Sequence, residues 1–109
     1  MELAELTRRA LAIRARYAAQ ETARTGRPWS RAELAQGFVG DVGDLMKLLL
    51  AKDGRRTATD LEAKLAHELA DCLWSILVLA QACDVDLEKA FLQTMSELEA
   101  RIAATPAGN

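Results

Sequence analysis

Four acidic residues of this 109-residue chain stand in two equally spaced pairs, Asp41 with Asp44 and Glu68 with Asp71. Residues three apart on a helix share a face, so each pair aims two carboxylates in one direction. The neighbours say which direction. Phe38, Val42 and Leu45 surround the first pair, and Leu65, Leu69, Cys72 and Leu73 surround the second, so both border apolar stripes that should turn inward. Carboxylates meeting inside a helical bundle repel and desolvate one another, at a cost on the order of several kcal/mol per uncompensated ion, unless a proton or cation sits between them. A hard divalent cation is the natural partner. Oxygen ligands without a His or Cys set favour Mg²⁺, with Mn²⁺ as a substitute, over zinc. Asp41, Asp44, Glu68 and Asp71 are therefore the candidate metal ligands.

The elements that must carry these pairs are written in the periodicity. Leu3, Leu6, Ala10, Ile13 and Tyr17 recur at steps of three and four, which predicts a helix from about Leu3 to Ala23. Thr25-Gly26-Arg27-Pro28 should end it, since Gly accepts a left-handed cap and Pro pushes its predecessor out of the helical region. Ser30 with Glu33 spells a capping box and opens a second helix, which runs to about Leu50 or Ala51 and carries Asp41 and Asp44. A polar stretch, Lys52-Asp53-Gly54-Arg55-Arg56, breaks the pattern. Thr59 with Glu62 repeats the capping-box spelling before a third helix, about Asp60 to Ala82, that carries Glu68 and Asp71. Asp86 is the expected N-cap of a fourth helix through Leu87, Ala90, Phe91, Met95, Leu98 and Ile102, and Thr105 to Asn109 reads as a frayed tail. No alternating strand pattern and no fixed repeat occur. Four helices with short connections predict an all-α, antiparallel four-helix bundle, a single domain over residues 1–109.

Composition sets the outer bounds. Half the residues are hydrophobic, 28% are charged and the net charge is −2, the balance of a soluble protein with no call for nucleic acid. Arg8, Arg9, Arg14, Arg16, Arg24, Arg27 and Arg31 crowd the first third, and a solvated helix face is the expected reading. The longest apolar stretch, Cys72 to Cys83, is interrupted by Ser75 and Gln81 and falls short of the roughly 20 residues of a bilayer span, so no membrane segment is expected. The acidic, amphipathic start does not read as a secretion signal, and a cytoplasmic protein is expected. Cys72 and Cys83 fall too far apart on one helix for a disulfide and read as small buried thiols. His67 is the sole histidine, and with no serine placed beside it a Ser-His-Asp arrangement has no support; a surface position is expected for it.

The acidic motifs resemble those of the MazG-like nucleotide pyrophosphohydrolases, nearest their deoxycytidine-triphosphatase branch. That family carries E-x-x-E on one helix and E-x-x-D on the next. Gly40-Asp41-Val42-Gly43-Asp44-Leu45 looks like the first motif, Glu68-Leu69-Ala70-Asp71-Cys72-Leu73-Trp74 looks like the second, and Asp84-Val85-Asp86-Leu87-Glu88-Lys89-Ala90-Phe91 resembles the opening of the family's next helix. The resemblance runs from about Trp29 to Ile102. It implies the all-alpha pyrophosphatase fold, and hydrolysis of a nucleoside triphosphate between the α and β phosphates to the monophosphate and pyrophosphate. Asp41, Asp44, Glu68 and Asp71 would be the catalytic residues, holding Mg²⁺ that neutralises phosphate oxygens and acidifies a bound water. It also implies a homodimer or homotetramer, with a role in nucleotide-pool cleaning.

Two departures stand out. Asp replaces the family's usual Glu at both Asp41 and Asp44, shortening each arm by a methylene. The basic cluster that the family places after the methionine of its last helix is replaced here by Met95-Ser96-Glu97-Leu98-Glu99. Substitute cations for the phosphates are Lys47, one turn beyond Asp44, Lys64, one turn before Glu68, and Lys52, Arg55 and Arg56 between the helices. Each reads more simply as a solvated or intrahelical ion-pair partner. Trp74, three residues after Asp71, is the expected base-stacking aromatic, with Trp29 a second candidate; both also read as core. The competing functions are a helical binding module that has lost turnover and a phosphoribosyl-ATP pyrophosphohydrolase of the same superfamily.

Overall fold

The computed structural model describes residues 2–54 and 59–106. It contains four helices, α1 (Leu3–Thr25), α2 (Arg31–Lys52), α3 (Leu61–Ala82) and α4 (Leu87–Ala104), with no strand among the described residues. The all-α expectation therefore holds, and the predicted helix limits agree to within about two residues.

Local chemistry sets most of the ends. Gly26 closes α1 in the left-handed region at φ 85°, its N–H donating to the Thr22 carbonyl at 2.9 Å. The Ser30 capping box forms in both directions: Glu33 N–H donates to Ser30 Oγ at 3.2 Å, and Ser30 N–H donates to Glu33 Oε1 at 3.0 Å. Asp86 caps α4 by accepting from Lys89 N–H at 3.1 Å. The third expected cap does not form. Asp60 holds the N-cap of α3 in the left-handed region at φ 51° with no side-chain cap bond, because both members of the spelled box are taken elsewhere. Thr59 Oγ1 accepts from Lys64 Nζ at 3.3 Å, and the Glu62 carboxylate pairs with Lys52.

Helix α3 is the centre of the molecule, with α2 packed along one side and α1 along another. Lys52 meets Glu62 at one end of the α2–α3 pair, and Asp41 and Asp44 approach Glu68 further along, so these two helices run in opposite directions. The α1 side is tied by Trp74, whose indole N–H donates to the Ala10 carbonyl at 3.2 Å while its ring meets Tyr17 edge to face at 6.1 Å. Ala10, Cys72, Leu77 and Val78 are the buried apolar residues. By length and composition α3 is also apolar enough to cross a membrane, at a mean hydropathy of 1.2, although the apolar stretch in the sequence had looked too short. Only 22% of that span is buried within the molecule.

The shape is open. A compact chain of this length has a radius of gyration of about 13 Å, whereas this one has 17.6 Å and extends 58 × 39 × 27 Å. Helix α4 packs only sparsely on the other three, so they form the body and α4 projects from it.

Candidate metal centre

The two acidic pairs meet where α2 and α3 run side by side. Asp41, Asp44 and Glu68 each offer a carboxylate oxygen, and these oxygens lie within 4.8 Å of one another. Ligand oxygens at about 2.1 Å from Mg²⁺ stand about 3 Å apart when neighbouring and about 4.2 Å when opposite, so modest rotamer changes would close the trio on one ion. Asp71 stands outside the trio. Its Oδ2 is 3.1 Å from His67 Nε2, one turn earlier on the same helix, and its charge still reaches Glu68.

Glu68 is the strained member. Its Oε1 is withdrawn from solvent and accepts no hydrogen bond, a costly state for a carboxylate oxygen. Its carboxyl is pushed up from the ordinary value, first by burial and then by the charges of Asp41, Asp71 and Asp44. Cys72, one turn on, is buried, and its thiol is likewise raised by burial and by the same acids. An orphaned oxygen ringed by acids is what a site for a hard cation presents when the cation is not counted, so the donor set fits Mg²⁺ or Mn²⁺.

A groove of about 510 Å³ runs beside the trio, lined by Asp44, Lys47, Asp60, Lys64, His67 and Glu68 with Leu48 and Ala63. It gathers two of the sequence-predicted phosphate contacts, Lys47 and Lys64. Lys52 is engaged with Glu62, and Trp74 is turned toward α1. Arg55 and Arg56 lie outside the described residues. His67 is exposed, as expected, yet it belongs to the site twice, as a groove residue and as the partner of Asp71. Its position one turn from both Asp71 and Lys64 was the signal in the sequence.

No family model, curated protein or solved structure matches this chain. The reading of the site therefore rests on its own residues.

Other expectations are corrected at this level. Cys83 is exposed, because the helix ends at Ala82 and leaves it on the turn. Arg14, expected on a solvated face, is instead largely buried and makes two hydrogen bonds to Glu21, at 2.8 and 2.9 Å. Arg8 and Arg27 pair with Glu5 and Glu33, so the arginine-rich third is partly neutralised by its own acids. Trp29 folds back over α2, where a Cβ at Gly37 would sit 3.6 Å from its ring.

Proposed function

We propose that this chain is a metal-dependent nucleoside triphosphate pyrophosphohydrolase, cleaving between the α and β phosphates. The observation that carries the reading is the enclosed, unpartnered Glu68 Oε1 among Asp41, Asp44 and Asp71, beside a groove that presents Lys47, Lys64 and His67. Asp41, Asp44 and Glu68 would hold Mg²⁺, with Asp71 the fourth carboxylate and His67 its orienting partner. When bound, the ion supplies positive charge against the phosphate oxygens and lowers the pKa of water. Lys47 and Lys64 add cationic charge along the groove, where the β and γ phosphates would lie, and so offset the three carboxylates that line it with them. The reaction joins a water oxygen to the α phosphorus and breaks the bond to the bridging oxygen, which leaves on pyrophosphate. No α4 residue lines the groove, so Glu97 and Glu99, the family departure that would most repel a triphosphate, stand outside it.

The test is pyrophosphate release from a panel of ribo- and deoxyribonucleoside triphosphates with Mg²⁺ or Mn²⁺, with Glu68→Gln and Asp71→Asn alongside. Turnover abolished in both variants supports the reading. Metal binding without turnover on any triphosphate would move the chain to the binding-module reading, which the two short Asp arms on α2 favour. Absence of both would leave the acidic cluster without a function.

A further inference from the structure

The contact between His67 and Asp71 has the dimensions of a metal chelate. The two residues lie one turn apart on α3, with Nε2 and Oδ2 separated by 3.1 Å and with side chains 74% and 41% exposed. Zinc holds an imidazole nitrogen and a carboxylate oxygen each at about 2.1 Å, so the two stand about 3.0 Å apart at a right angle and about 3.4 Å apart at the tetrahedral angle. The observed separation falls between these values, and an ion can enter without any movement of the helix. One turn back, Lys64 Nζ donates to Thr59 Oγ1 at 3.3 Å, toward the start of α3 and away from the pair.

The donors differ from those of the acidic trio, to which neither residue belongs. Magnesium keeps oxygen ligands and water and gains little from an imidazole, whereas a nitrogen donor suits zinc and its transition-metal neighbours. At about 100° per residue, Asp71 lies about 60° round α3 from Glu68, and His67 about 40° further the same way. Asp71 thus stands between the imidazole and the enclosed, unpartnered oxygen of Glu68, where its charge is felt. His67 also lines the groove of about 510 Å³ with Asp44 and Glu68, so the remaining coordination positions face space that water or an oxyanion can fill.

We propose that His67 Nε2 and Asp71 Oδ2 form a second cation site, for a divalent ion of the zinc class, beside the trio of Asp41, Asp44 and Glu68. Asp71 has a further oxygen to offer, so one carboxylate can serve both ions at the separation of about 3.5–4 Å found in two-metal centres. The chain then holds two sites of different hardness, a buried one of oxygens alone and an accessible one with a nitrogen. Zinc binding at the second site does not depend on the pyrophosphohydrolase reading.

The chain has one histidine, so its imidazole nitrogen resonances report this site alone. Titration of the full chain with Zn²⁺ in saturating Mg²⁺ should move the Nε2 resonance to saturation at one equivalent, and Mg²⁺ by itself should leave it in the range of a free imidazole. Asp71→Asn should weaken the Zn²⁺ response ~10-fold or more, and Glu68→Gln, which disables the trio, should retain it. An imidazole that Zn²⁺ does not move overturns the proposal. So does a response equally strong in Asp71→Asn, which would make His67 an ordinary surface histidine, or one lost in Glu68→Gln, which would assign the ion to the trio. Triphosphate turnover takes no part in these readouts, so a chain that binds Zn²⁺ at His67 and hydrolyses nothing refutes the hydrolase reading alone.

Discussion

Two glutamates of this chain are drawn out of water on helices, and their surroundings are opposite. Glu21, 5% exposed, is fully provided for: Arg14 donates to both of its oxygens, at 2.8 and 2.9 Å, and the Trp29 N–H donates to Oε1 at 2.7 Å. The Arg14 hydrogen bonds hold its carboxyl below the ordinary value despite burial. Glu68 makes no ion pair among the described residues, it has three acids around it and an oxygen with no partner, and its carboxyl is raised. The chain completes one cluster itself, whereas the other is the one that the proposed cation would complete. The first fixes the connection from α1 to α2, since Arg14 and Glu21 lie on α1 and Trp29 on the turn beyond it. The second costs folding free energy as it stands, which is the arrangement the proposed metal site requires and a structural staple does not.

The sharpest way to break that comparison is to remove Arg14. Arg14→Ala strands a buried carboxylate and should cost about 3–5 kcal/mol, read as a lowered midpoint in chemical denaturation. A loss below about 1 kcal/mol would mean that Glu21 reaches water and that the two clusters differ less than their geometry says. Metal provides the next largest effect, with the opposite sign. Mg²⁺ or Mn²⁺ at tenfold its dissociation constant should stabilise the wild-type fold by about 1.4 kcal/mol, and should stabilise Arg14→Ala by the same increment because the clusters share no residue. No shift in the melting midpoint on titration with either ion would mean that Glu68 is tolerated as an isolated defect.

The helices were legible because their signals are local. Gly26, the Ser30–Glu33 box and Asp86 act within one turn of themselves, and each does in the structure what its spelling predicts. The Thr59–Glu62 box failed because longer-range partners, Lys64 and Lys52, outcompeted the backbone for the same side chains. At the metal centre, spacing within each helix placed both acidic pairs, but which three carboxylates converge depends on the axial register of α2 against α3. No local rule carries that register, nor the His67 contact that draws Asp71 aside. Arg14 shows the same limit. Its salt bridge to a residue seven positions away needs the helix end and the turn after it to be in place before either partner is buried.

Trp74 offers a smaller test. Its indole N–H holds the Ala10 carbonyl from the α1 side, so Trp74→Phe should cost about 1 kcal/mol through one lost hydrogen bond while leaving metal affinity unchanged. A changed nucleotide KM with unchanged stability would instead restore the base-stacking role that its position three residues after Asp71 suggested.

The smallest effect carries the most discriminating sign. A carboxyl raised in the folded state binds its proton more tightly folded than unfolded. The metal-free protein should therefore lose stability as pH rises from the ordinary carboxylate value, 4.5, through the raised one, and hold level above it. Glu68→Gln is neutral throughout, so it should abolish that decline. The variant and the wild type then match at the acid end of the window, and above it the variant is the more stable by about 1 kcal/mol or less, since the site is partly open to solvent. Saturating Mg²⁺ should reverse the order, because only the wild type gains from the ion. The companion change at Glu21 has the reverse slope: its lowered carboxyl contributes stability above the unfolded value that is lost as pH falls toward the folded one. Denaturation midpoints measured against pH with chelator present separate the two. If Glu68→Gln proves less stable than wild type at neutral pH without metal, the Glu68 carboxylate already has a stabilising partner, and the contrast with Glu21 collapses.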